Sequence, residues 1–345
     1  MDSLFEDIDV QSNSVEAEVA KRIFAADLNT GDSVDAVFVI TRISLKEYDR
    51  GKFLTLRLAD RTGKISAVLW ENAEATFRQI RDGDVVQVRG KVNTYQDELQ
   101  VSIRTIERVM DLSQLDPSDF LPSSPVPLQE MIEEFDQHLE EIQDVHLQQV
   151  LFHFRRDEKL WNAFIHAPGA KLWHHPYLHG LLEHTLNVVR LCRCISPMYS
   201  GVDCDLLTTG AVFHDLGKTV EFDYQYKIDY STDGRLLGHV YISAAIAEQI
   251  ISEIKDFPAE KRRQLLHIIL SHHGETERSP VLPMTLEAAL LHHIENMDAQ
   301  MMAFIREMNK ARGENQDWTS YVNLIQRYLY LGDSRENCKE SSEFE

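Results

Sequence analysis

The hydrophobic residues of this chain repeat with two different periods, and the change between them divides the sequence. In residues 33–110, apolar and polar positions alternate and valine, isoleucine and threonine are common, as is typical of β-strands. In residues 128–331, apolar positions recur three and four residues apart, which is the period of amphipathic α-helices. We therefore predict a β-domain followed by an all-α domain.

The alternating region contains five predicted strands with one helical interruption at residues 71–80. The strands are predicted at residues 33–43, 53–60, 64–70, 84–95 and 98–109. Three strands, a helix and two strands is the order of a five-stranded OB-fold β-barrel. The segment resembles the OB-fold domains of the tRNA-anticodon-binding type, including the tryptophan that ends the third strand, Trp70.

The second region is predicted to be a helical bundle. Its helices are predicted at residues 128–143, 146–166, 180–196, 205–217, 239–254, 259–272, 285–311 and 317–331. Residues 111–127 contain four prolines and little periodicity, which indicates a linker. Residues 1–32 form an acidic N-terminal arm with an amphipathic turn or helix near residues 15–24, and residues 332–345 form a polar tail.

Composition narrows the class of protein. The chain has 345 residues and a formal net charge of −21, so bulk electrostatic capture of nucleic acid is not expected. Residues 34–110 are the exception, because they carry 13 Lys and Arg against 11 Asp and Glu. The acidic start and the lack of a long apolar run predict neither secretion nor a membrane span.

The four cysteines show no CxxC pair and predict a reduced, cytoplasmic protein. A fragment of a soft-metal site at Cys192 and Cys194 is the alternative interpretation.

Several predicted helices carry a histidine or aspartate on the stripe that should face the core. These inward residues are His184, His214, His239, His272 and Asp298. Asp215 lies about 100° around the helix from His214, and Lys218 follows in the run HDLGK. Each residue alone is most simply a hydrogen-bonded core residue, but an unpaired buried carboxylate costs on the order of several kcal/mol. A divalent cation would stabilise the whole set, and this mixture of donors favours Mn, Fe, Co, Ni or Zn over Ca or Mg.

The ordered histidines and aspartates with HDLGK resemble the HD-domain metal-dependent phosphohydrolases. Together with the OB-fold region and the phrases HHPYLHGLLEHT, LGH and SHHG, they resemble the YhaM-type 3′-5′ exoribonucleases. The resemblance implies a metal site made by His184, His214, Asp215 and Asp298. It implies a second ion held by His239 with His272 or His273, between which spacing does not decide. The pattern departs from the family at His179, where similar sequences carry glycine.

The implied activity is hydrolysis of single-stranded RNA, or DNA, to 5′-nucleoside monophosphates by a metal-activated hydroxide. Mn is the expected ion, one or two per chain, and Asp215 and Lys218 are the expected catalytic groups, with Lys218 neutralising phosphoryl charge. His174 and His175 are expected at the mouth of the pocket.

An OB barrel binds single strands by base stacking and phosphate contacts. The candidate contacts are Tyr48, Lys52, Phe53, Arg57, Lys64, Trp70 and Tyr95, with Arg42 and Lys46 nearby. The alternative is that Phe53 and Trp70 fill the barrel.

Two other functions compete with the exoribonuclease. The first is an HD enzyme acting on small nucleotides or cyclic dinucleotides, with the OB domain as a sensor or assembly module. The second is a nucleic-acid-binding protein with a structural metal site, which would have no need of Lys218. Aromatic residues between Trp318 and Tyr330 suggest a homo-oligomer.

Overall fold

A computed structural model describes residues 23–49, 51–113, 115–275, 277, 279–311 and 316–332. These residues fall into two compact units that divide between Phe120 and Leu121. The division lies inside the predicted linker, residues 111–127.

The first unit is a closed five-stranded barrel. Its strands are β1 (Ser33–Tyr48), β2 (Gly51–Asp60), β3 (Gly63–Leu69), β4 (Val85–Tyr95) and β5 (Glu98–Arg108), with helix α1 (Ala73–Gln79) between β3 and β4. The strand order is β1-β2-β3-β5-β4, and the long β1 closes the barrel by pairing with β4 in its first half and β2 in its second. A register shift between Ile40 and Arg42 lets β1 bend between its two partners. The predicted OB-fold barrel is confirmed.

Inward-facing apolar side chains of all five strands fill this barrel. Phe38, Leu54, Val88 and Val101 are among the fully buried members of its core. The alternation seen in the sequence therefore separates barrel interior from exterior, as a period of two requires.

The second unit is mostly helical. Its helices are α2 (Leu128–Glu140), α3 (Val145–Arg156), α4 (Glu158–His166), α5 (Gly180–Ile195), α6 (Cys204–Phe213), α7 (Lys218–Glu221), α8 (Thr232–Ser252), α9 (Ala259–Ser271) and α10 (Leu286–Ala311). A small hairpin of β6 (Phe222–Asp223) and β7 (Asp229–Tyr230) separates α7 from α8. One continuous apolar core joins helices α2 to α6 and α8 to α10.

Three helix predictions need correction. The segment 146–166 is two helices, because Asp157 ends α3 and its side chain caps α4 by accepting a hydrogen bond from Leu160 N. The segment 205–217 stops at Phe213. The segment 317–331 is not helical: isolated bridges join Trp318 to Tyr330 and Val322 to Arg327 in a hairpin-like turn.

Every helix among the described residues is too short or too polar to span a membrane. The predicted turn or helix near residues 15–24 lies, apart from its last two residues, outside the described residues. The polar tail beyond Gly332, with Cys338, also lies outside them.

Candidate metal centre and nucleic-acid interface

The run HDLGK forms a tight turn that joins two helices. Helix α6 ends at Phe213, so His214 caps it and Lys218 begins α7 instead of lying on the same helix. The turn packs directly on the backbone of α8, since a Cβ at Gly217 would lie 2.3 Å from the His239 carbonyl oxygen. Gly217 N–H also donates to Ser243 Oγ at 2.7 Å. The glycine thus brings the turn against the helix that carries His239.

Asp215 lies at the centre of the site, and histidine Nε2 atoms lie close to both of its carboxylate oxygens. Its Oδ2 is 3.3 Å from His214 Nε2 and 3.4 Å from His184 Nε2. Its Oδ1 is 3.4 Å from His239 Nε2 and 3.7 Å from His272 Nε2. Helices α5, α8 and α9 and the end of α6 therefore direct four imidazoles to one buried aspartate, as their apolar stripes predicted.

The same four histidines use their other ring nitrogen to bind groups outside the centre. The Nδ1 atoms of His184, His214, His239 and His272 donate to Asp298 Oδ2 at 2.7 Å, Ala211 O at 2.7 Å, Glu221 Oε1 at 2.9 Å and Ile269 O at 2.7 Å. A proton on Nδ1 leaves the Nε2 lone pair of a neutral imidazole free for a metal ion. All four lone pairs then face Asp215.

This arrangement fits divalent metal ions. In the described part of the chain, three groups of nitrogen and oxygen atoms have metal-ligand spacing: His184–His214–Asp215, His239–His272–His273 and His174–His175–His184. The first two groups contain the histidines that lie around Asp215. Among the described residues, Asp215 Oδ1 and His272 Nε2 are buried without a hydrogen-bond partner, which is costly unless something else binds them. Both His272 and His273 belong to the second group, and His273 Nε2 is 3.0 Å from His239 Nε2.

Asp298 lies on the far side of His184 from the other ligands. Its contact with His184 Nδ1 makes it the carboxylate that orients this imidazole. Direct ligation by Asp298 stays a prediction. Glu221, which no sequence pattern indicated, orients His239 in the same way and also accepts a hydrogen bond from the His239 backbone N–H at 3.1 Å. Because the helix is interrupted at HDLG, the apolar period of α6 does not continue to Glu221 and could not predict that this residue faces inward.

The electrostatics of the centre follow from these contacts. Burial alone would raise the pKa of Asp215, but Lys218 and His214 hold that pKa well below its ordinary value. Lys218 Nζ is 2.5 Å from Asp215 Oδ2 and donates to Gly169 O at 2.6 Å. Burial would lower the pKa of His184, but hydrogen bonds to Asp215 and Asp298 raise it to about 9.

A third histidine group surrounds His184 from the loop before α5. His174 and His175 are buried beneath the surface, so the prediction that they line the pocket mouth is wrong. His175 has a φ of 46°, and Gly169 and Gly180 pack against it where no Cβ would fit. His179 has a φ of 68° at the start of α5, and its Nδ1 donates to Ile165 O at 2.6 Å. This left-handed backbone is a conformation that glycine adopts easily, which is consistent with the glycine that the resemblance implied at position 179.

The barrel carries an exposed aromatic cluster, here called the aromatic face, made of Tyr48, Phe53 and Trp70. Phe53 and Trp70 stack with ring centroids 4.5 Å apart, and Tyr48 meets the Trp70 ring edge-on at 5.4 Å. Trp70 is 51% exposed, so it does not fill the barrel, and Phe53 is half-buried but is not a member of the barrel core.

The other candidate contacts of the barrel are spread along its exterior. Arg57, Lys64 and Tyr95 are exposed. Lys52 pairs with Glu74 at 2.5 Å and with Glu47 at 3.4 Å, so its charge is already compensated. Arg42 and Lys46 are exposed on the second half of β1.

The fold and the site define a class: an OB-fold nucleic acid binding domain followed by an HD-domain hydrolase with a divalent-metal centre. Residues 37–109 match the family model of the OB-fold nucleic acid binding domain, and residues 181–300 match that of the HD domain. The 3′-5′ exoribonuclease YhaM of Bacillus velezensis is 33% identical over 284 residues, which are 82% of this chain and 90% of that protein. The chain therefore belongs to the YhaM family.

Solved structures are similar to about a quarter of the chain. The second OB-fold domain of replication protein A from Methanococcus maripaludis is 21% identical and covers 27% of this chain and 96% of its own, with a TM-score of 0.22. A small single-stranded DNA-binding protein from Streptomyces coelicolor is 15% identical and covers 23% of this chain and 94% of its own, with a TM-score of 0.21.

Proposed function

We propose that this protein is a metal-dependent 3′-5′ exoribonuclease that releases 5′-nucleoside monophosphates from single-stranded RNA. The observation that carries the proposal is the set of four Nε2 atoms around Asp215, each fixed by a hydrogen bond at Nδ1. The 3′-5′ direction is taken from the name of the YhaM relative.

The proposed metal ions are Mn²⁺. His184, His214 and Asp215 would hold one ion, and His239, His272 and His273 would hold a second. Four or more nitrogen donors with one carboxylate favour a transition metal over Mg²⁺ or Ca²⁺. When bound, such ions lower the pKa of a water molecule and neutralise phosphoryl charge.

The chain itself contributes positioning and charge. Asp215 holds the two histidine groups together, and Glu221 and Asp298 fix the orientation of His239 and His184. Lys218 lies beside Asp215 in a water-poor interior, where an ammonium group would stabilise negative charge that grows on phosphoryl oxygens. We assign Lys218 this role, as well as that of holding Asp215 in place.

The aromatic face of the barrel is the proposed single-strand grip. Exposed, mutually packed aromatic rings provide flat surfaces on which bases stack without sequence preference. Arg57, Lys64 and Tyr95 would add phosphate and base contacts, whereas Lys52 contributes less because two glutamates compensate its charge.

The experiment follows two RNAs of one sequence, labelled at the 5′ end or at the 3′ end, with purified protein and Mn²⁺. We expect the 5′-labelled RNA to shorten one nucleotide at a time and the 3′ label to appear at once as a mononucleotide. Asp215→Asn serves as the inactive control, and Asp82→Asn, a change of an exposed aspartate in the barrel unit, as the matched active control. Chelation by EDTA should stop both reactions.

Other outcomes would select the competing functions. Release of the 5′ label first would reverse the polarity. No shortening of RNA, together with hydrolysis of a cyclic dinucleotide or a small nucleotide, would favour the HD enzyme with the OB domain as a sensor. Tight RNA binding without any hydrolysis would leave a binding protein with a structural metal site.

A further inference from the structure

The segment that leads into His239 presents apolar side chains to solvent immediately beside the metal centre. Leu236 is 77% exposed and Leu237 is 52% exposed, and both precede Gly238, whose φ of 72° kinks α8. Neither leucine contributes to the helical core. Two neighbouring leucines in contact with water lack the stabilising free energy that burial of their side chains would give, and a ligand that covers them would supply it.

A cationic group lies next to these leucines. Lys171 Nζ and Arg235 Nη2 both contact Asp229 Oδ1, at 2.6 Å and 3.1 Å, and Lys227 Nζ contacts Asp229 Oδ2 at 3.1 Å. Lys171 and Arg235 also lie over the Tyr230 ring, 5.3 Å and 5.6 Å from its centroid. The nearby carboxylates Asp223 and Asp233 are exposed, and Glu248, further along α8, pairs with Arg262.

This cationic group is close along the chain to His239 of the metal centre and to the buried His174, whose ring packs against His184. Lys171 is three residues before His174, so their Cα atoms are at most about 11 Å apart. Arg235 is four residues before His239, and Gly234 packs so closely that a Cβ there would lie 2.2 Å from the Glu221 carbonyl oxygen. Arg235 and the two leucines therefore lie within four residues of His239, a member of the second histidine group, and Lys171 joins them through its contact with Asp229.

We propose that Lys171, Tyr230, Arg235, Leu236 and Leu237 form a nucleotide subsite, here called the rim subsite. It rests on the proposed exoribonuclease function and specifies how that site holds its substrate. The leucines and the Tyr230 ring cover the base, and Arg235 with Lys171 binds the phosphate that lies one nucleotide from the bond being cleaved. Arg235 suits this role because its side chain is 61% exposed and has N–H donors beyond the one used on Asp229.

Three substrates separate the contributions. A dinucleotide has only the scissile phosphate, the same dinucleotide with a 5′-terminal phosphate adds the second one, and methyl p-nitrophenyl phosphate has no base. The 5′ phosphate should raise kcat/KM of the unmodified protein roughly tenfold, as expected for a charged hydrogen bond. Arg235→Ala should remove most of that gain, and Arg235→Lys should keep part of it.

The apolar contribution is tested with the double variant Leu236→Ala, Leu237→Ala. Its KM for the dinucleotide should rise roughly three- to tenfold with kcat little changed, while hydrolysis of methyl p-nitrophenyl phosphate and the Mn content stay as in the unmodified protein. Lys159→Ala and Met198→Ala, which change an exposed cation and an exposed apolar residue elsewhere in the unit, are the matched controls.

The inference is overturned if the rim variants behave like these controls on every substrate. It is also overturned if the rim variants lose Mn and lose activity equally on all three substrates, because that result would mean that these residues have a structural role. Calorimetric binding to the metal-loaded protein keeps the two proposals distinguishable. If the protein does not shorten RNA, the exoribonuclease function fails by itself. The rim subsite still predicts that the leucine variant binds a nucleoside 5′-monophosphate more weakly than the unmodified protein does, whereas both proteins bind ribose 5-phosphate equally well. If the variant bound both ligands as tightly as the unmodified protein, the rim subsite would be refuted.

Discussion

At the scale of single residues, the function of the centre depends on hydrogen bonds that lie behind the metal-facing atoms. Apolar stripes predicted which histidines turn inward, because a stripe is a property of one helix. They could not predict which ring nitrogen faces the centre, since that depends on partners such as Asp298 and Glu221 from other elements. The sequence therefore identified His184, His214, His239 and His272 but not the role of Glu221.

Glu221→Gln should weaken one metal site and leave the other. The amide oxygen of glutamine can still accept a hydrogen bond from His239 Nδ1–H. The substitution nevertheless removes a buried negative charge that makes the imidazole a better ligand. We expect the affinity for one of two Mn²⁺ ions to fall about 10- to 100-fold, measured by calorimetric titration. The matched control is Glu248→Gln, which changes an α8 surface ion pair with Arg262. Equal weakening of both sites would contradict the assignment.

Lys218→Ala should retain metal but slow turnover. Removal of one charged donor to a transition state costs roughly 10²- to 10³-fold in kcat, and we expect a loss of that size on RNA and on a dinucleotide. Lys218→Arg should restore only part, because a planar guanidinium does not replace a compact ammonium between Asp215 and Gly169 O. Should Mn content collapse with unchanged turnover per bound ion, Lys218 would have only a structural role.

The raised pKa of His184 predicts how the metal-free protein responds to pH. Its folded value of about 9 lies above the ordinary 6.5, so the charged His184 stabilises the fold fully below pH 6.5 and this stabilisation is lost as the pH rises through about 9. The Tm of metal-free protein should therefore fall across that range. Mn²⁺ should remove the dependence, because the ion replaces the Nε2 proton.

Differential scanning calorimetry at several pH values, with EDTA or with Mn²⁺, measures this dependence. His184→Gln should abolish the alkaline fall in the metal-free protein because the titrating group is gone. A metal-free Tm that rises between pH 6.5 and 9 would show that another group dominates.

At the scale of elements, close backbone contacts decide where the ligands lie. The HDLG turn is pressed on α8 at Gly217, and α6 is pressed on α9 at Gly210, where a Cβ would lie 2.5 Å from Ile268 Cγ2. These glycines were visible in the sequence, but the contacts they permit were not, because each partner is distant along the chain. Most strand and helix locations, which depend on local periodicity, were predictable, with the three corrections given above.

The failed prediction at residues 317–331 has a related cause. Apolar and aromatic residues recur there at intervals that suit a helix, but Ile325 and Leu329 are buried against Trp173 and Phe304 from other parts of the unit. Contacts with distant elements thus override the local period. Met301 and Ile305 follow Asp298 at helical spacing on α10, so the local period predicts that they face the core. Both are exposed instead.

Gly217→Ala should destabilise the helical unit and displace His239. The added methyl group would meet backbone atoms, which cannot rotate away, at 2.3 Å from His239 O and 2.7 Å from Ser243 N. We expect a loss of about 1–3 kcal/mol in the free energy of unfolding, measured by urea denaturation, with reduced Mn affinity. Val220→Ala, at a half-exposed position of α7, which follows the turn, is the control. An unchanged unfolding midpoint would contradict the close packing.

At the scale of the whole molecule, the net charge is distributed unevenly between the barrel region and the rest of the chain. The barrel region, residues 34–110, is slightly positive because it carries 13 Lys and Arg against 11 Asp and Glu, whereas the rest of the chain carries all of the excess negative charge. An acidic unit repels long polyanions, so the metal centre needs another part of the chain to hold RNA. The sequence predicted this division of labour from charge and periodicity, before any side-chain geometry.

The units also define where the chain can be divided. Leu121 is buried, Ser124 N–H donates to Leu178 O at 2.9 Å, and Leu178 N–H donates to Pro122 O at 2.9 Å. Residues 121–127 therefore belong to the helical unit, and a truncated chain should begin at Leu121 instead of Leu128. It retains the complete helical core and both histidine groups, so we expect it to fold and to bind Mn²⁺.

The truncated chain should cleave a dinucleotide at close to the rate of the full chain but lose efficiency on a twenty-nucleotide RNA. Stacking contributes about 1–3 kcal/mol per base, so loss of the aromatic face should raise KM for the long RNA at least tenfold with little change in kcat. The comparison is made at two salt concentrations, and the full chain should show the steeper salt dependence because phosphate contacts of the barrel release counterions. A full chain with Trp70→Ala should fall between the two. If both substrates lost efficiency equally, the barrel would support folding or assembly, and hydrolysis of small nucleotides would become the better-supported function.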